Sequence, residues 1–151
     1  MSSIFDDPRS LDHAELEEGR TFAPRFDANG LVTAVTVEAS TGHVLMVAHM
    51  NAEALSKTLS SREVHYFSRS RGKLWKKGET SGEVQRLVEM RTDCDQDVVL
   101  VAVEQTGRGA ACHTGRKSCF YRRVSVGESG VALVDTGEPK LFDPAVVYGK
   151  G

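Results

Sequence analysis

The residues of this chain best suited to holding metal and moving protons fall into two short segments. The first is Asp93-Cys94-Asp95-Gln96-Asp97. Carboxylates at alternate positions share one face if the backbone is extended, and Cys94 then points the other way. Converging carboxylates repel one another unless a hard cation such as Mg²⁺ sits among them. The plainer alternative is an acidic turn between two strands. A calcium loop of the EF-hand type, which Glu104 would close, does not fit. Val98 stands where that loop needs glycine, and the residues after it read as strand rather than helix.

The second segment is Cys112-His113-Thr114-Gly115-Arg116-Lys117-Ser118-Cys119. Its cysteine spacing is not that of a zinc finger. With Cys94 the two cysteines make a possible zinc site of three thiolates and an open fourth position, the catalytic pattern. A structural zinc closed by His113 as fourth ligand is the competing reading. A third stretch, Tyr66 to Gly82, packs five cations and three glycines around the only tryptophan, Trp75. Arginine forks and hydroxyls suit phosphate oxygens, and glycines let backbone N–H groups approach them. A solvated basic hairpin is the bland alternative.

These segments need a frame. The chain has 151 residues, which suits one domain with a real core. Apolar content is 40% and charged content 26%, ordinary for a globular protein, and the net charge of -2 advertises neither nucleic-acid nor membrane binding. Apolar runs such as Val98–Val103 are too short to span a bilayer. The start, Met1 to Asp7, has no basic and then apolar stretch, so the expectation is a cytoplasmic protein without a secretory signal. An odd cysteine count, three, argues for reduced thiols or metal ligands over a disulfide framework.

The expected elements run as follows. A short helix lies near Leu11–Glu18. Leu31–Glu38 and His43–Met50 form a β-hairpin turned by Ser40-Thr41-Gly42. Asn51 caps a helix over Ala52–Ser61, where Leu55 and Leu59 lie one turn apart. Val64–Ser68, Val84–Arg91, Val98–Val103, Phe120–Val126 and Val131–Val134 read as strands. The fold class is therefore α+β: strand-rich, a mostly antiparallel sheet with one main helix. Regular βαβ alternation and glycine-rich nucleotide motifs are absent. Residues 1–21 read as an N-terminal extension, 22–126 as the domain and 127–151 as a tail with no legible motif.

In order, Tyr66–Arg71, Leu74–Gly82, Asp93–Asp97 and Cys112–Cys119 resemble the signature of the phosphoribosyl-AMP cyclohydrolases. Gly30-Leu31-Val32, Thr41-Gly42, Val44-Leu45-Met46 and Met50 to Leu55 agree with it, so the likeness covers residues 22–124. The resemblance implies an intertwined homodimer with active sites at the subunit interface. It implies zinc on Cys94, Cys112 and Cys119, shared between subunits, and magnesium on Asp93, Asp95 and Asp97. Three departures stand out: His49 where tryptophan is usual, Gln96 for a common glycine and Glu83 for a common asparagine. None removes an expected ligand, though Gln96 bears on the backbone between the aspartates. The short tail leaves no room for the pyrophosphohydrolase domain fused in some relatives, so a single activity is expected.

The implied reaction is hydrolysis of the N1–C6 bond of phosphoribosyl-AMP, a step of histidine biosynthesis. Substitution at N1 makes C6 electrophilic, so the protein chiefly supplies an activated water. Three thiolates blunt the acidity of zinc, so a positioned base matters, and His113 is the candidate. Arg69, Arg71 and Lys77 are the expected phosphate cations, with Thr80 and Ser81 as hydroxyl donors. Trp75 is read either as a platform for a base or as a core or interface anchor. Two other functions compete: a zinc-stabilised nucleic-acid-binding module, against which the charge counts, and a purine deaminase, which would release ammonia.

Overall fold

The computed structural model describes residues 4–149. The first three residues, where the extension and the stretch read for a signal begin, and the last two of the tail lie outside the described residues. In chain order the elements are α1 (His13–Glu18), β1 (Val32–Glu38), β2 (Val44–Met50), α2 (Ala52–Ser61), β3 (His65–Ser68), β4 (Lys73–Lys76), β5 (Gln85–Thr92), β6 (Val98–Gln105), β7 (Arg122–Gly127), β8 (Gly130–Asp135) and α3 (Pro144–Tyr148). The chain is strand-rich α+β, as the residue patterns imply. Among the described residues no helix is long and apolar enough to cross a membrane.

Alternation builds the main sheet, whose order is β2-β1-β6-β5. Val32, Ala34 and Thr36 of β1 and Val99, Val101 and Val103 of β6 are buried at a period of two. The β1–β2 hairpin is antiparallel, and Gly42 takes the positive φ of 79° in its turn. β6 runs antiparallel to β5 but parallel to β1, making β6 an interior strand, which is why its apolar run is unbroken. That parallel pairing joins segments sixty-odd residues apart, roughly, and local pattern carries no sign of it.

Helix α2 starts where Asn51 Oδ1 accepts the Ala54 amide at 2.8 Å. It buries Ala54, Leu55 and Thr58 and packs against β2, β3 and β4. The basic stretch holds a hairpin, with Tyr66 paired to Trp75 across β3 and β4. Tyr66 is fully buried, and its hydroxyl bonds Thr36 at 2.7 Å and Gln85 at 2.6 Å. Gln85 passes the network to Gln105 at 3.0 Å, so these core polar groups are satisfied and tie the β3–β4 hairpin to the sheet. The last two expected strands pair as an exposed hairpin, β7–β8, followed by α3, which the sequence reading leaves uninterpreted.

Candidate active site

The segment from Ala111 to Cys119 folds back on itself. The Ala111 amide donates to Lys117 O at 3.0 Å and the Cys112 amide to Arg116 O at 3.1 Å. Its far end is fastened to β2, where the Cys119 amide donates to Leu45 O at 2.8 Å. The fold-back brings Cys112 and Cys119 within hydrogen-bonding reach of each other. Cys112 is thereby the more acidic thiol. The Cys119 hydrogen bond lowers its pKa first, burial opposes this, and the Thr114 hydroxyl at 3.1 Å and nearby His113 lower it further. Cys119 shifts the opposite way, because that hydrogen bond and the charge on Cys112 disfavour a second thiolate. Gly115, at φ 93°, lies so close to the Phe142 carbonyl that a Cβ would collide with it.

Lys77, placed among the phosphate cations on sequence, is mostly withdrawn from solvent at 6% exposure. Its ammonium donates to Ala111 O at 2.5 Å, and it lies near Cys112, Cys119 and Glu83. Burial lowers its pKa and the thiols and Glu83 oppose that, so it is placed to offset negative charge on the cysteine pair. Glu83 is buried and accepts Arg108 Nε at 2.8 Å and the Ala110 amide at 3.2 Å, holding the loop that leads into Cys112. The departure at position 83 thus has its partner in Arg108, a pairing that adjacency in sequence could not reveal.

The aspartates converge, but not by the alternation of an extended strand. Residues 93–97 form a turn between β5 and β6. Asp93 Oδ1 accepts the amides of Asp97 at 3.1 Å and Val98 at 3.0 Å. Gln96 sits at φ 60°, the left-handed conformation that glycine takes without cost. Its buried side chain explains its tolerance: Oε1 accepts the Ala23 amide at 2.8 Å, and Nε2 donates to Leu16 O at 2.9 Å and Thr21 O at 3.1 Å. One oxygen from each of Asp93, Asp95 and Asp97 lies within 4.8 Å of the others. Burial pushes Asp93 up, but hydrogen bonds from the Val98 amide and its neighbours prevail and hold it low. Asp97 is pushed up to about 6 by its hydrogen bonds with Asp95 and Asp93.

Cys94 stands apart. It is exposed in a shallow depression with Leu16, Arg20 and Thr92. Among the described residues of one chain, neither Cys94 nor His113 joins Cys112 and Cys119 in a three-ligand group.

A cavity of about 450 Å³ opens beside the cysteine pair. Arg71, Lys77, Thr80, Ser81, His113 and Cys119 line it, with Trp75 and the β2 residues Met46 and Val47. Arg69 lines an adjoining depression with His49, Ser68, Arg71 and Trp75. His49 is held below the usual histidine range by burial and then by Arg69. Neither Arg69 nor Arg71 has an ion-pair partner among the described residues. Trp75 packs on Tyr66 with ring centroids 5.1 Å apart, as an anchor in the fold, and also lines the cavity. Tyr148 of α3 also reaches the cavity wall, a residue the sequence reading left in the uninterpreted tail.

A strand-rich fold here gathers Cys119, with Cys112 behind it, a histidine and a wall of cations and hydroxyls at one cavity, and the relatives that follow make the class that of a hydrolase. Residues 46–121 match the family model described as phosphoribosyl-AMP cyclohydrolase. The chain belongs to the phosphoribosyl-AMP cyclohydrolase family, whose enzymes act in histidine biosynthesis. It is 62% identical to a phosphoribosyl-AMP cyclohydrolase of Bradyrhizobium diazoefficiens over 90% of this chain and 96% of the relative. Identity is also 62% to one of Nitrobacter hamburgensis, over 95% of this chain and 97% of the relative. A third, of a Bradyrhizobium species, is 64% identical over 85% of this chain and 98% of its own length.

Proposed function

We propose that the cavity beside Cys112 and Cys119 is where this chain carries out its family's reaction, hydrolytic opening of the adenine ring of phosphoribosyl-AMP. The observation that carries the reading is convergence: Cys119 and His113 from one segment and Arg71, Thr80 and Ser81 from another come to one cavity. In the reaction water oxygen bonds to C6, the N1–C6 bond breaks, and N1 takes a proton. His113 is exposed on the cavity wall, free to take a proton from water and return one to N1. Arg69 and Arg71 offer unpaired forks to the two phosphates. Lys77 adds positive charge from below, and Thr80 and Ser81 add hydroxyl donors.

The donor set fits metal. Two thiols within hydrogen-bond reach of each other, one of them acidified, are half of a soft tetrahedral site. Cys94 is the proposed third zinc ligand, contributed by the other subunit of a homodimer. Its distance from the pair within one chain supports sharing, as do Val44, Val47, Val88 and the apolar residues of β7–β8, which stand exposed. Zinc, when bound, would supply the Lewis acidity that makes water nucleophilic at neutral pH. Asp93, Asp95 and Asp97 suit Mg²⁺, since their mutual repulsion calls for a hard cation.

The test is turnover of phosphoribosyl-AMP by purified protein before and after chelation and after zinc is restored. Ring opening without ammonia, lost with zinc and regained with it, is expected. Ammonia release would mean deamination, and undiminished turnover in metal-free protein would remove the zinc assignment.

A further inference from the structure

The tail beyond residue 121 lies outside the matched family model, yet part of it is pinned to the loop that carries the cysteines. The Leu141 amide donates to Gly115 O at 2.6 Å. Phe142 is buried, and the Arg108 guanidinium, held by Glu83, lies 4.3 Å from its ring centroid. Gly115 admits the Phe142 carbonyl where no side chain would fit. Asp143 then caps α3 by accepting the Ala145 amide at 3.0 Å, and Pro144 supplies the first helical φ. The outcome is that Tyr148, whose ring lies 6.1 Å from that of Phe142, is delivered to the cavity wall with His113, Thr80 and Ser81.

We propose that Tyr148 is a substrate-binding residue, its ring closing the cavity over the substrate's nucleobase. Three features support this. The docking contacts at Gly115, Arg108 and Phe142 fix α3 against the catalytic loop itself. Beside the cations and hydroxyls suited to phosphate and ribose, the wall holds Trp75, Met46 and Val47, and a purine has two faces to cover with flat apolar surface, so Tyr148 adds a second ring to Trp75. Tyr148 keeps 40% of its surface exposed although Phe142, six residues before it, is buried, as a ring reserved for a ligand would. The inference rests on the cavity being the substrate site.

The experiment is steady-state kinetics with phosphoribosyl-AMP on zinc-loaded Tyr148→Ala, Tyr148→Phe and Arg71→Ala, with zinc content measured for each. Loss of an aromatic ring stacked on a base should raise KM about tenfold in Tyr148→Ala. Zinc content should hold and kcat should stay within about twofold, since a binding wall is remote from the bonds that change. Tyr148→Phe restores the ring and should bring KM back to within about threefold. A fall in kcat with unchanged KM, or Tyr148→Phe as impaired as Tyr148→Ala, would overturn the stacking role. If Arg71→Ala raises KM and Tyr148→Ala does not, Tyr148 alone is excluded. If neither changes KM, the substrate lies elsewhere and the cavity assignment fails with it.

Discussion

Cys112 and Cys119 are chemically identical side chains that their surroundings make unequal. The shared hydrogen bond favours one thiolate and disfavours the second, so two thiolates persist together only with a cation to hold them. Purified protein should carry about one zinc per chain, and Cys112→Ser or Cys119→Ser should abolish tight binding, because a hydroxyl is a poor thiolate substitute. Metal analysis that finds zinc retained would refute those ligands. His113→Ala should keep zinc and lose about 10²–10⁴-fold in kcat. Loss of zinc in that variant would instead make His113 a ligand. Asp97 carries a pH prediction. Its pKa of about 6 lies above the ordinary carboxylate value of 3.8. Without a cation, its contribution to stability is therefore fully present below about pH 4 and lost as pH rises through about 6. A divalent cation needs the ionised form, so Mn²⁺ or Mg²⁺ affinity should fall as pH drops below about 6. Calorimetric titrations giving the same affinity at about pH 5 and about pH 7.5 would exclude Asp97 as a ligand.

At the scale of elements, the acidic turn is shaped by a residue with no chemistry of its own. Gln96 bears a left-handed backbone and repays it with a side chain that ties residues 16–23 to the turn. Two substitutions separate these effects. Gln96→Ala keeps the strained φ and strands the buried Ala23 amide, while Gln96→Gly relieves the strain. Both should melt below the natural protein, with alanine about 1 kcal/mol less stable than glycine. Equal melting of Gln96→Ala and the natural protein, which share the left-handed backbone, would show that the tie contributes nothing.

At the scale of the molecule, the proposed sharing of Cys94 across a homodimer would make the active site a property of two chains. A Cys94→Ser dimer and a Cys112→Ser/Cys119→Ser dimer should each be inactive. In a mixed dimer one site collects every lesion and the other is intact. Random pairing makes about half the dimers mixed, so about a quarter of natural activity should return on co-expression. Verified mixed dimers without activity would place all the ligands in one chain.

Much of this protein was legible from residues alone. Alternating β-branched segments, the Asn51 cap and the turn at Gly42 act over a few residues, so periodicity and turn chemistry located β1, β2, α2, β5 and β6 to within a residue or two at most ends. The long motifs carried the family, because their residue types are dictated by chemistry. Tertiary structure decided what depends on approach through space. It set β6 parallel to β1 and, of the two readings of the aspartate segment, chose the acidic turn over the extended backbone. It turned Lys77 beneath the cysteine pair, matched Glu83 with Arg108, and brought Tyr148 from an unreadable tail to the cavity. Apart from the turn, each of these joins positions too far apart in sequence for local propensity to register, and packing of the whole core selects them.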